Sequence, residues 1–110
     1  MVTAEFGALL QLTAHDGQRD ELLRVLGNYL NTLDEGEPGT TLVSVASDPN
    51  DENLVWVWEV FADAEAVQAH FEHDFFRALQ LELADLLAEP VAVRPLAPVA
   101  HHTGSGVSAE

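Results

Sequence analysis

The chain has 110 residues, 47% of them apolar, which suits one domain able to bury roughly two-thirds of the surface its unfolded form exposes and leaves no room for a second. Four arginines and no lysine stand against 19 acidic side chains, a formal net charge of -15, so the mean field repels phosphate backbones and anionic lipid surfaces and no nucleic-acid partner is expected. Without Lys or Cys there is no Schiff-base or P-loop lysine, no disulfide and no thiolate chemistry, which leaves carboxylates, His, hydroxyls and the substrate itself.

Residues 4 to 13 are apolar with a loose alternation and end at His15-Asp16-Gly17, a turn-like cluster that closes a first strand. The run has no basic leader before it and is only strand-long, so neither a signal peptide nor a membrane span of about 20 apolar residues is expected, and a cytoplasmic protein is the default. Asp16 is placed to cap a helix. From Gln18 to Leu33 the apolar positions Leu22, Val25, Leu26, Tyr29, Leu30 and Leu33 follow helical spacing, an amphipathic helix with one buried stripe.

Pro38 between two glycines breaks that helix, and residues 34 to 37 read as solvated loop carboxylates. Residues 40 to 46 are β-branched and strand-like, residues 48 to 53 are a polar turn, and Leu54 to Phe61 is almost wholly apolar. The two strands are expected to form an antiparallel hairpin buried on both faces. Asp63 caps a short helix through Phe71, and Asp74 caps a second whose stripe is Phe75, Phe76, Leu79, Leu83, Leu86 and Leu87, ended by Pro90. Residues 91 to 96 have strand character, with Pro95 suiting a sheet edge or a crossover rather than a central position.

The order β-α-β-β-α-β is the split βαβ arrangement of a ferredoxin-like α+β fold, an antiparallel sheet with its helices on one face. The other face would present Trp56 and Trp58 with Leu54 and Val60, a surface that a partner sheet covers better than water does. The domain is assigned to residues 1–100, and the Gly, Ser and Thr-rich residues 101–110 to a flexible tail.

Glu37-Pro38-Gly39-Thr40 after the first helix, Asp48-Pro49 before the third strand, Trp58-Glu59-Val60-Phe61 at its end, and Ala69-His70 with Phe76-Arg77-Ala78 follow in an order and spacing that resembles the antibiotic biosynthesis monooxygenase family. The similarity runs from about residue 4 to 100. It implies a homodimeric α+β barrel with a pocket in each subunit between sheet and helices. Some members oxidise quinols or polycyclic phenols with molecular oxygen and no flavin, haem or metal; the protein removes a proton and the electron-rich substrate itself reduces oxygen. Relatives often carry a His where this chain has Phe75, and Trp or Tyr where it has Phe61.

Glu59 sits in the most apolar strand, on the face of Val55, Val57 and Phe61, where desolvation is expected to raise its pKa. His70, on the following helix, is its expected partner. Two readings stand: a catalytic pair in which Glu59 orients His70 as general base, or a structural hydrogen bond locking helix to sheet. Phe61, Phe75 and Phe76 are the expected substrate-binding aromatics, and Arg77 or Arg94 could stabilise an oxyanion. A metal site of Glu59, His70 and His73 is not expected, since two His three apart is a weak signal. No cofactor is called for. Two functional readings follow: a cofactor-independent monooxygenase acting on a small aromatic substrate, or a non-catalytic dimeric module that binds a small aromatic ligand. Haem degradation is disfavoured, because the related haem-degrading proteins place an axial His where this chain has Leu81 to Leu87.

Overall fold

A computed structural model describes residues 5–102 and Gly104. The apolar runs become strands β1 (Phe6–Thr13), β2 (Thr40–Ser47), β3 (Leu54–Phe61) and β4 (Ala92–Leu96), with helices α1 (Arg19–Leu30), the single turn α2 (Leu33–Gly36), α3 (Ala64–Glu72) and α4 (Asp74–Ala84) between them. The sheet order is β2-β3-β1-β4 and every neighbouring pair is antiparallel. This is the ferredoxin-like α+β fold, in which each helical crossover skips one strand and leaves β1 and β3 at the centre. The tail assigned to residues 101–110 lies largely outside the described residues. Among the described residues no helix is long and apolar enough to cross a membrane.

Helical and strand periods sort the side chains as the sequence implies. On α1, Leu22, Val25, Leu26 and Tyr29 are all buried, and they pack with Leu12, Val55, Val57 and Leu79 in one core between the helices and the sheet. β3 is buried except at the half-buried Trp56 and Trp58, but β2 is an edge strand with most of its residues exposed, so the expected burial of the hairpin on both faces does not hold for β2. β4 forms the other edge, where Pro95 removes no bond that a central strand would need.

The helix starts differ from their expected caps in two places. Asp63 does cap α3, accepting from the Ala66 N–H at 2.8 Å. Asp16 does not cap α1: Gly17, at φ 80, turns the chain between them, and Asp16 instead accepts from the Asn53 amide at 2.7 Å. At α4 the cap is His73, whose Nδ1 accepts from the Phe75 N–H at 3.1 Å; the backbone is extended at His73, so Asp74 is already the first helical residue. α4 also stops at Ala84, well before Pro90. Leu86 and Leu87 therefore pack from a turn that joins the end of β1, where the Leu86 carbonyl accepts from the His15 N–H at 2.9 Å.

The β2–β3 turn is fastened to α1 by Arg19, which donates to the Asp51 and Asp48 carbonyls at 2.7 and 3.1 Å. The helix-free face carries Trp56 and Trp58, opposite in parity to Glu59. The Trp56 indole donates to Asp48 at 3.0 Å, and this bond together with the Asn50 N–H holds the Asp48 carboxyl below its usual pKa. Trp58 lies across Gly7: a Cβ there would stand 2.5 Å from Trp58 Cη2 and 3.1 Å from the Leu96 carbonyl. Gly7→Ala is accordingly expected to destabilise the fold by about 1–3 kcal/mol through overpacking. Urea denaturation followed by circular dichroism checks this, and an unchanged midpoint would show that the indole moves aside freely.

Candidate functional site

The site begins at the turn between α2 and β2. Thr40 donates its N–H to the Glu37 carbonyl at 3.0 Å, which places Pro38 at the second position of a turn that suits its fixed φ. A Cβ on Gly39 would meet the Ala66 Cβ at 2.5 Å, so only glycine lets the turn dock this closely on α3. Docking carries Glu37 inward until it is 4% exposed. It is therefore no solvated loop carboxylate, because the turn that holds it is clamped beneath a helix.

Glu37 gathers three donors. His70 Nδ1 lies 2.6 Å from its Oε1, the Thr40 hydroxyl donates to the same oxygen at 3.0 Å, and the Tyr29 hydroxyl donates to Oε2. Burial pushes the Glu37 carboxyl up, but the bonds from His70, Tyr29 and Thr40 outweigh it and hold the group below its usual pKa. Burial first, then the bond to Glu37, drives the Tyr29 phenol far above its ordinary value, so it stays a donor. The Tyr29 oxygen also lies 3.1 Å from His70 Nδ1. With Nδ1–H directed at a carboxylate, the network assigns the lone pair of the neutral ring to Nε2.

The His70 ring, 3% exposed, is boxed by Phe76, Phe61 and Phe71 with centroids at 4.2, 5.1 and 5.2 Å. Its Nε2 edge faces Glu59, whose Oε2 stands 4.0 Å away. That is too long for a hydrogen bond. Glu59 thus does not orient the imidazole; the orienting carboxylate is Glu37. Glu59 is 7% exposed, and burial raises its pKa, with His70 opposing the shift and Glu37 adding to it.

Both side chains line an apolar cavity of about 430 Å³ between the sheet and the helices, within the usual size of small-molecule sites. Phe61 and Phe76 form part of its wall, with Leu10, Val43 and Val57 from the sheet. Phe75 does not: it is 47% exposed and lies against His73, because the break between α3 and α4 turns it outward. Phe71, absent from the expected set, lines the cavity in its place. Arg77 and Arg94 are also outside the lining, and Arg94 pairs with Leu9 on the helix-free face. His73 packs on Phe75 and Gly36, and among the described residues no three His, Asp or Glu side chains converge as metal ligands.

The sequence model of the antibiotic biosynthesis monooxygenase family matches residues 6–81. None of the curated proteins compared with the chain matches it. Among solved structures, a candidate antibiotic biosynthesis monooxygenase from Caulobacter crescentus superposes with a TM-score of 0.83 at 19% identity, over 90% of this chain and 93% of that one. Another, from Chloroflexus aurantiacus, gives 0.78 at 25% identity, over 90% and 97%. A variant of SnoaB, a cofactor-independent oxygenase from Streptomyces nogalater, gives 0.75 at 16% identity, over 94% and 99%. With most of its length inside the family's pattern and the fold shared by these structures, the chain belongs to the antibiotic biosynthesis monooxygenase family.

Proposed function

We propose that the protein is a cofactor-independent monooxygenase that oxidises a quinol or polycyclic phenol with molecular oxygen, acting as a cytoplasmic homodimer. The observation that carries this reading is the Glu37–His70 pair, a base fixed through Nδ1 by a buried carboxylate, with its Nε2 edge on an apolar cavity. A positioned base of this kind contributes roughly 100- to 10,000-fold. His70 takes a proton from the substrate, and the resulting carbanion or phenolate supplies electrons to oxygen. Over the whole reaction a ring C–H of the phenol becomes C=O: one oxygen atom enters the product, the other leaves as water with the hydrogens of that C–H and of the hydroxyl, and the substrate supplies all four electrons. The apolar walls exclude water that would quench the anion.

The second reading, a non-catalytic module that binds a small aromatic ligand, draws on the same cavity. One observation favours it: the Glu37 cluster also ties α1, the turn and α3 together, as a structural lock would. Oxygen uptake by the chelator-treated protein with a panel of reduced quinols and anthrone-type phenols separates the two. Uptake with release of a quinone is expected. Silence across a broad panel, with tight binding of one of its aromatics, would establish the binding module instead.

Dimer formation is supported by the helix-free face, where Leu42 and Leu96 are 46% and 42% exposed beside the half-buried Trp56 and Trp58. A second copy laid on this face covers one continuous apolar surface. Sedimentation velocity at micromolar concentration is expected to show a dimer, and Leu42→Glu with Leu96→Glu a folded monomer. A wild-type monomer under those conditions would count against the assembly.

A further inference from the structure

A base at His70 generates an anion on the substrate oxygen, and among the described residues no guanidinium lines the cavity to stabilise it. Glu59 stands where that stabilisation is needed. Its carboxyl is more than nine-tenths buried, projects into the cavity on the Nε2 side of His70, and accepts no hydrogen bond from any described group. Its sheet neighbours across β1 and β2 are Ala8 and Val43, neither of which offers a side-chain donor. Burial among such neighbours disfavours the charged carboxylate, and a carboxyl held neutral in an apolar site is a hydrogen-bond donor. The separation of 4.0 Å between Oε2 and Nε2 is too long for a direct bond but admits one oxygen atom about 2.8 Å from each.

We propose that Glu59, as a carboxylic acid, donates a hydrogen bond to the substrate's hydroxyl oxygen while His70 Nε2 accepts that hydroxyl's proton, so that the site selects neutral aromatic ligands bearing a free hydroxyl. The inference rests on His70 acting as the base. In the step the substrate O–H bond breaks, an N–H bond forms at Nε2, the electron pair stays on oxygen, and Glu59 keeps its own proton. Two donors, the Glu59 O–H and the imidazolium Nε2–H, then face the new oxyanion. A ligand carrying a carboxylate or phosphate would bury its charge in an apolar cavity that, among the described residues, no arginine lines, and is rejected.

Isothermal titration calorimetry at neutral pH with naphthol, naphthalene and naphthoate tests this on the wild type, Glu59→Gln and Glu59→Leu. The wild type is expected to bind naphthol about tenfold tighter than naphthalene, the worth of one good hydrogen bond in a dry site, and naphthoate weakest of the three. Glu59→Gln retains the preference, because its amide N–H still donates. Glu59→Leu loses it while binding naphthalene as before, which shows an intact cavity. A preference that survives in Glu59→Leu, or naphthoate binding as tightly as naphthol, overturns the proposal. Oxygen uptake separates it from the reading beneath it: unimpaired uptake by Glu59→Leu defeats the role of Glu59 alone, whereas hydroxyl recognition through Glu59 with no uptake by the wild type defeats the monooxygenase and leaves hydroxyl recognition standing.

Discussion

Glu37→Ala is expected to cost about 3–5 kcal/mol of folding stability, the usual penalty for removing one partner of a buried charged network. The Nδ1–H of His70 and the hydroxyls of Tyr29 and Thr40 all point at this one carboxylate, and its loss leaves at least one donor of the Tyr29–His70 pair unmet in an apolar interior. The sign of its pH dependence follows from the direction of its shift. The folded state holds Glu37 below its ordinary value of 4.5, so the stabilisation is fully present above that value and is lost as pH falls through the folded pKa. The gap between wild type and Glu37→Ala should therefore be widest near neutrality and close below about 4.5. Urea denaturation at several pH values measures it. A cost under about 1 kcal/mol at neutral pH would mean that water replaces the carboxylate and that the cluster is not sealed.

His70→Gln is expected to lower oxygen uptake by about 100- to 10,000-fold with little change in KM. Glutamine can still direct an N–H at Glu37, so the turn and α3 stay joined, but it has no basic nitrogen to offer the cavity. The fall should appear in kcat because the lost interaction develops only as the proton moves. A variant that folds and turns over at the wild-type rate would remove His70 as the base and leave the cluster as a structural lock.

The strand and helix faces were legible because each rests on a local period. Alternation along β3 is enough to set Glu59 and Phe61 under the helices and both tryptophans on the other side, and spacing along α1 marks Leu22, Val25, Leu26 and Tyr29 as one stripe. Glu37 had no such marker. A side chain at the head of a turn takes its direction from what the turn docks against, here Ala66 on α3, and that contact lies 27 residues beyond Gly39 in the sequence. Within the acidic run of residues 34 to 37 it reads like any loop carboxylate. One signal did exist: it heads the Glu37-Pro38-Gly39-Thr40 segment that carries the family resemblance. Phe75 fails for a related reason, since one extended residue at His73 resets the helical phase and turns Phe75 outward while Phe76 stays on the inner face. His70 and Glu59 do stand near each other, but which ring nitrogen faces which carboxylate depends on the turn that sequence periodicity does not describe.

The sheet also sorts the chromophores. Both tryptophans lie on the helix-free side, Trp56 bonded to Asp48 and Trp58 over Gly7, while the only tyrosine, Tyr29, lines the cavity. Light at the red edge, absorbed by indole and not by phenol, therefore interrogates the outer surface alone. Red-edge fluorescence thus follows one face of the sheet without any substitution and leaves the cavity face unlabelled.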